Sequence, residues 1–321
     1  MIMMVKNRMN IAIVLVTFNR LEKLKIALKK YQEQTYLPKH LIVVDNCSTD
    51  GTREFLEQWE KIEDKYEKHV LRLSTNTGGA GGFYEGMRYA VENLQTDWIW
   101  VSDDDAYPRA DALKVLSDYY SGLSIEEQNK IVSLCAAIYN AGKIHAAHRH
   151  HLKVTRFKVK LYSSVDEEYQ QKAFLIDIFS YVGTMIKTDA LKKAGLDRKE
   201  FFIYCDDQEH AIRLGRYGKI ICVPNSIVDH DTPPHNPNVV DWGRYYKKRN
   251  DLLMIKYNFP KRYFILRYMR RYLSDISVFS SNPAVLKKMF REAYRDAKNN
   301  HTGIHSLYKP GWAPQDEQDI I

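Results

Sequence analysis

Cysteine is scarce in this chain of 321 residues. Cys47, Cys135, Cys205 and Cys222 are the four, and none falls in a C-x-x-C pair or at zinc-ligand spacing. That excludes a disulfide-stapled framework and a thiolate metal cage, and it predicts reduced thiols in a cytosolic protein. Long apolar runs are missing too. No stretch approaches the roughly 18–20 uninterrupted apolar residues that a spanning helix needs. The opening MIMMVKNRMN lacks the apolar segment of a signal peptide. There is no internal repeat, no low-complexity tract, no G-x-G-x-x-G and no P-loop. What the chain does have is ample core material, at 45% apolar residues, and a net charge of +8. The charge implies an anionic partner: phosphate groups, nucleic acid or a membrane surface.

The first half alternates strand and helix patterns, the signature of a mostly parallel sheet flanked by helices. Ile11 to Thr17 reads as a buried strand, and Leu21, Leu24, Leu28 and Tyr31 mark one helical face. Leu41 to Val44 is a second strand ending at Asp45-Asn46, and Ser48, Thr49 and Asp50 offer caps for a helix through Trp59. A third strand, Val70 to Leu73, leads into a loop with four glycines in five residues, Gly78 to Gly82, before a helix from Phe83 to Leu94. The next apolar run, Trp98 to Val101, ends in Asp103, Asp104 and Asp105, and Pro108 stops its ladder.

Three adjacent carboxylates at the end of a buried strand raise one another's pKa unless a cation or donors offset them. Hard oxygen ligands suit Mg²⁺ or Mn²⁺, and open α/β sheets bind ligands at the carboxyl ends of strands. A solvated acidic turn is the bland alternative. Asp45 and Asn46 could pair with a nucleobase or ribose, or simply make a strand-to-helix turn. The glycine loop could bring backbone close to a diphosphate at a helix N-terminus, or be a plain flexible turn.

Taken together and in order, V-T-F-N-R (16–20), V-V-D-N-C-S-T-D-G-T (43–52), N-T-G-G-A-G-G-F (76–83), D-D-D (103–105), Y-V-G-T-M (181–185), C-D-D-Q-E-H (205–210), D-H (229–230) and Y-Y-K-K-R-N (245–250) carry a resemblance. Over residues 10–250 the chain resembles the family 2 inverting glycosyltransferases of the GT-A fold. Within that family it is similar to bacterial galactofuranosyl- and rhamnosyltransferases of cell-surface polysaccharide synthesis. The resemblance implies a nucleotide-sugar site drawn from Thr17, Asn19, Arg20, Asp45, Asn46, Asn76, Gly79, Gly81, Gly82, Asp103, Asp104, Gly183 and Thr184. It implies Mn²⁺ or Mg²⁺ on Asp103, Asp105 and His230, and it makes Asp207 the general base. The donor is expected to be UDP-linked galactofuranose, with dTDP-rhamnose as the alternative, and the acceptor a lipid-linked glycan or polysaccharide.

Asp206 and Glu209, three apart, read as a capping box at a helix start, which leaves Asp207 free for chemistry. One carboxylate suffices, because an inverting transfer needs a single base for the acceptor hydroxyl. Residues 144–162 are basic and rich in histidine, and they read as an exposed hairpin rather than a zinc site, since no cysteine or carboxylate sits at ligand spacing. Arg249 could grip a phosphate in bidentate fashion. Beyond it, residues 256–272 interleave Lys and Arg with Tyr and Phe. They suit either an anionic lipid surface or a helix docked on the catalytic domain.

The expected layout is a GT-A catalytic domain over 1–235, a basic and aromatic helical region over 236–297, and a poorly ordered tail over 298–321 in which Trp312 docks. The protein is expected in the cytoplasm, peripheral on the inner face of the membrane, with homo-oligomer formation left open. Two readings from other classes compete. A nucleotidyltransferase would want basic residues gripping a triphosphate near the N-terminus, where residues 10–20 offer only Arg20. A nucleic-acid-binding protein rests on charge alone, since no RNP-like or helix-turn-helix pattern is present.

Overall fold

The computed structural model describes residues 8–233 and 239–314. The first half alternates as its pattern predicts: β1 (Ile11–Thr17), α1 (Leu21–Gln32), β2 (His40–Asp45), α2 (Thr52–Trp59), β3 (Glu67–Arg72), α3 (Gly78–Asn93) and β4 (Trp98–Asp103). There follow β5 (Ala106–Pro108), α4 (Ala112–Ser121), α5 (Ile125–Asn129), β6 (Ile131–Asn140) and β7 (Lys143–Ile144). Next come β8 (Arg149–Val154), β9 (Val159–Ser163), β10 (Phe174–Ile176), β11 (Ile178–Phe179), β12 (Thr184–Lys187) and α6 (Thr188–Ala194). α7 (Asp206–Leu214), β13 (Lys219–His230), α8 (Gly243–Asn258), α9 (Lys261–Asp275) and α10 (Ala284–Asn299) complete the chain.

The main sheet runs β10-β13-β6-β12-β4-β1-β2-β3. β1 pairs in parallel with β2 and β4, β2 with β3, and β13 with β6, while β12 is antiparallel to both its neighbours. Thr17 lies opposite Asp45, and Val16 opposite Asp103. The carboxyl ends of β1, β2 and β4 therefore finish at one edge, which is where a ligand cleft belongs in an open α/β sheet.

Alternation along β1 builds a core on each side of the sheet. Val14 and Val16 pack with Val44, Phe83 and Met87 on one face. Ile13 and Leu15 pack with Leu24, Leu28, Leu56 and Trp100 on the other. Each such side chain contributes about 1.5–3 kcal/mol on burial, so the double-sided core dominates the stability of this half. Trp100 also donates its indole N–H to the Tyr31 hydroxyl at 2.9 Å.

The glycine run is helix rather than loop, because α3 starts at Gly78. A Cβ at Gly82 would fall 2.5 Å from Val16 Cγ1, and one at Gly86 would fall 2.3 Å from Val14 Cγ1. Glycine there lets α3 lie directly on β1.

A third core joins α8 and α10 to the catalytic layer through Phe201, Phe202, Tyr245, Tyr246, Leu253, Phe290 and Tyr294. The stretch expected as a loose tail packs here as far as residue 314. Tyr308 stacks on Tyr245 with centroids 5.3 Å apart, and Trp312 meets Tyr308 edge-on at 5.0 Å. Aromatic burial outweighs the entropy of ordering this segment.

β8 and β9 form the expected basic hairpin, extended by β11 into a small second sheet. Arg149 departs from it. Its side chain is buried, and the guanidinium donates to the carbonyls of Ala136, Val182 and Gly183. Among the described residues no helix is long and apolar enough to cross a membrane.

Candidate active site

The acidic triplet sits where the strand ends. Asp103 closes β4, Asp104 and Asp105 turn the chain, and β5 then pairs antiparallel with β13. Pro108 thus ends a second short strand instead of stopping the first. The pairing sets Ala106 opposite His230, and it brings His230 Nε2 to 3.2 Å from Asp105 Oδ1.

Donors surround the other carboxylates. Thr17 Oγ1 donates to Asp104 at 2.7 Å, and the Arg20 guanidinium reaches Asp104 at 3.2 Å and Asp105 at 2.8 Å. Burial and the Asp105 charge push the Asp103 carboxyl up to about 7. Burial raises Asp104 to about 6 against the pull of Arg20 and the Thr17 hydrogen bond. Burial acts on Asp105 as well, but the His230 hydrogen bond and the Arg20 charge override it and hold that carboxyl below its usual range. Asp103, Asp105 and His230 each offer one ligand atom, and these atoms lie within 4.8 Å of one another. Two carboxylate oxygens and an imidazole, crowded enough to raise Asp103, make a donor set that fits a Mn²⁺- or Mg²⁺-class ion.

Beside the triplet lies a cleft of about 250 Å³ lined by Thr17, Arg20, Asn46, Asn76, Gly78, Gly79, Asp103 and Asp104. Asn46 organises its rim. The amide donates to the Asn76 side chain and the Gly78 carbonyl, and its oxygen accepts from the Thr77 N–H and hydroxyl. Asp45 is buried and accepts from the Ser48 N–H at 2.9 Å, so it shapes the turn after β2. Asn19, at φ 51°, ties its own turn to that one through Ser48 and Thr49.

Several expected donor-binding residues lie beneath the cleft instead. Gly81 backs onto Thr77, and Gly82 onto Val16. Gly183 packs against Val228 at φ 63°, and Thr184 is buried in the sheet with its hydroxyl on the Ser180 carbonyl. β12 runs between β4 and β6, so these two residues build the floor rather than the lining.

The loop before α7 is backbone-strained: Phe202, Tyr204 and Cys205 all have φ between 64° and 68°. Non-glycine residues held there cost of order 1–3 kcal/mol each, and they persist only where neighbours over-determine them. Asn250 supplies much of that constraint, donating to the carbonyls of Phe201, Ile203 and Tyr204. Arg249 helps, and this corrects its expected role on phosphate. It is buried, with its guanidinium on the Phe201 and Gly303 carbonyls, so it anchors the loop and the C-terminal segment.

The capping box is also corrected. Cys205 occupies the N-cap in a left-handed conformation, and Glu209 is buried in ion pairs with Arg198 and Arg213. Asp206 and Asp197 are both buried: burial raises Asp206 to about 6, and burial with the Asp206 charge pushes Asp197 well above the usual carboxylate range. Asp207 stays partly open to solvent. Burial and the Asp206 charge raise its carboxyl well above the usual range, and it also feels the charge of Asp103 across the site.

Sequence reasoning missed several residues. Phe18, Phe202, Ile203, Trp242 and Pro310 complete the cleft wall. Phe18 stood inside a motif already singled out, whereas Trp242 and Pro310 arrive from the C-terminal segment with no local signal.

With this geometry in hand, comparison with known proteins is informative. Residues 12–195 match the model of the family described as Glycosyl transferase family 2. Galactofuranosyltransferase GlfT1 of Mycolicibacterium smegmatis is 31% identical over 206 residues, covering 64% of this chain and 65% of that relative. The putative teichuronic acid biosynthesis glycosyltransferase TuaG of Bacillus subtilis is 29% identical over 32% of this chain and 39% of its own length. Under two thirds of either relative is therefore spanned. Among solved structures, Staphylococcus aureus TarS 1–349 in complex with UDP-GlcNAc superposes with TM-score 0.56 at 16% identity, over 90% of this chain and 81% of that one. The mannosyltransferase PcManGT of Pyrobaculum calidifontis, in complex with GDP-Man and Mn²⁺, gives 0.54 at 15% identity, over 91% and 75%. The fold is that of the GT-A glycosyltransferases, and the chain belongs to glycosyl transferase family 2.

Proposed function

We propose that the protein transfers a sugar, with inversion, from a nucleotide diphosphate donor to a hydroxyl of a glycan acceptor. The observation that supports this is a metal-type donor set beside an open cleft at the sheet edge, with the raised carboxyl of Asp207 near enough to feel the Asp103 charge. Asn46, Asn76 and the Gly78–Gly79 backbone would receive the nucleotide. Asp103, Asp105 and His230 would hold the ion, which when bound would balance the charge of the departing diphosphate. Asp207 would take the acceptor proton as that oxygen attacks C1 and the bond from C1 to the phosphate oxygen breaks. Similarity to GlfT1 favours UDP-galactofuranose over dTDP-rhamnose as donor, and similarity to GlfT1 and TuaG favours an acceptor of the bacterial surface-glycan class, probed most directly as a lipid-linked glycan.

Transfer measured with a panel of UDP- and dTDP-sugars tests this reading. UDP-galactofuranose should turn over fastest, EDTA should abolish transfer, and Mn²⁺ or Mg²⁺ should restore it. Full turnover in chelator, or turnover of nucleoside triphosphates instead of sugar nucleotides, would contradict it.

We further propose that the protein works against an anionic membrane surface through α9. Its outer face shows Ile265, Met269 and Leu273, each roughly half exposed, between the exposed Arg262 and Arg270. Val278 and Phe279, at 89% and 90% exposed, crown the turn that follows. Apolar residues ringed by arginine suit a headgroup boundary. Arg267 and Arg271, by contrast, pair with Asp251 and tie the helix to the body.

A further inference from the structure

The histidine-rich stretch after β6 has a third partner that its own spacing does not contain. His145 and His148 lie on the turn between β7 and β8, and His230 ends β13. β13 runs parallel to β6, with Asp229 opposite Tyr139, so that turn folds against His230. His148 Nε2 then lies 3.2 Å from His145 Nδ1 and 3.3 Å from His230 Nδ1. The rings meet edge-on, at 85° and 74°.

Hydrogen bonding cannot satisfy this arrangement. A ring nitrogen holds either one proton or one in-plane lone pair. It can therefore complete one linear hydrogen bond, yet His148 Nε2 faces two nitrogens. A metal ion satisfies all three at once. Zinc–nitrogen bonds of about 2.0–2.1 Å in a tetrahedron separate the ligand nitrogens by about 3.3–3.4 Å, close to the two spacings observed. One nitrogen from each of the three rings lies within 4.8 Å of the others.

We propose that His145, His148 and His230 form a binding site for a zinc-class divalent ion, distinct from the carboxylate group and joined to it through His230. The outer contacts are those a ligated imidazole needs. His148 Nδ1 has the Ser180 hydroxyl at 2.7 Å, and His230 Nε2 has Asp105. Three imidazoles leave the fourth position of a tetrahedral ion open.

The site stands on this geometry alone, whereas its effect on turnover rests on the sugar-transfer reading. A neutral imidazole has one lone pair. If His230 gives Nδ1 to the zinc-class ion, its proton sits on Nε2 facing Asp105. It cannot then ligate an ion held by Asp103 and Asp105. Zinc should therefore oppose the manganese-class ion.

Titration of the EDTA-stripped full chain with Zn²⁺, and with Co²⁺ as a visible probe, tests the proposal without any sugar donor. The wild type should show a tetrahedral Co²⁺ band. His145→Gln should weaken Zn²⁺ binding by at least about tenfold, and His145→Cys, which restores a ligand, should recover it. His69→Gln should change nothing, although His40, Glu67 and His69 form another possible cluster. Unchanged affinity in His145→Gln, or loss confined to His69→Gln, would overturn the proposal. In a transfer assay with Mn²⁺, Zn²⁺ should inhibit the wild type more than His145→Gln; equal inhibition of the two would overturn the link through His230.

Discussion

In the proposed transfer, Asp207 is the residue on which the chemistry turns. Its carboxyl is raised by burial and by the Asp206 charge. A raised native pKa means the neutral form is favoured on folding. Its stabilising contribution is therefore present at low pH and lost as pH rises towards the native value. Catalysis runs the other way, because only the ionised form accepts a proton. Turnover should climb with pH and level off above the raised pKa of Asp207. Asp207→Asn should remove that rising limb and lower kcat by about 10²–10⁴. Where Asp207 is ionised, the variant should melt no lower than the wild type, because an unfavourable charge has been removed, and it should keep its donor affinity. Asp206→Asn is the control: asparagine keeps the shape of the side chain in the first turn of α7, so activity should largely survive. A dead Asp206→Asn beside an active Asp207→Asn would show the wrong carboxylate had been chosen. The assignment of Asp207 comes from the family resemblance carried by the C-D-D-Q-E-H motif. The role of Arg249 was not legible, because a sequence does not say whether a guanidinium meets a ligand or its own backbone carbonyls.

At the scale of elements, local pattern was a good guide and long-range pairing was not. β1 spans the predicted residues, because seven consecutive apolar or β-branched side chains fit a strand covered on both faces. The glycine run offers, from sequence, either a diphosphate-binding loop or a plain turn. Only Gly78 and Gly79 face the cleft, while Gly82 and Gly86 serve the contact of α3 with β1. Gly183 and Thr184 were expected in the lining, and the insertion of β12 between β4 and β6 puts them in the floor. α9 carries the element-scale prediction. Vesicles containing anionic lipid should sediment the full chain, less so as salt shortens the Debye length towards 8 Å and below. Phe279→Ser with Met269→Ser should weaken that binding several-fold while the protein stays folded. Equal partitioning to neutral and anionic vesicles would leave α9 as a docked helix with a solvated basic face.

For the whole molecule, the sites are made by contacts that no local window contains. His230 reaches Asp105 across 125 residues, and Arg249 reaches Gly303 across 54. The C-terminal segment, Tyr308 and Pro310 included, closes back over the catalytic layer and brings Pro310 to the cleft wall. In the proposed transfer, one base and one donor set serve a single displacement at C1, with no covalent sugar–enzyme intermediate. The anomeric configuration of the product, read by NMR after transfer from UDP-galactofuranose, tests that claim most directly. Inversion relative to the donor is the predicted result, and retention would contradict it.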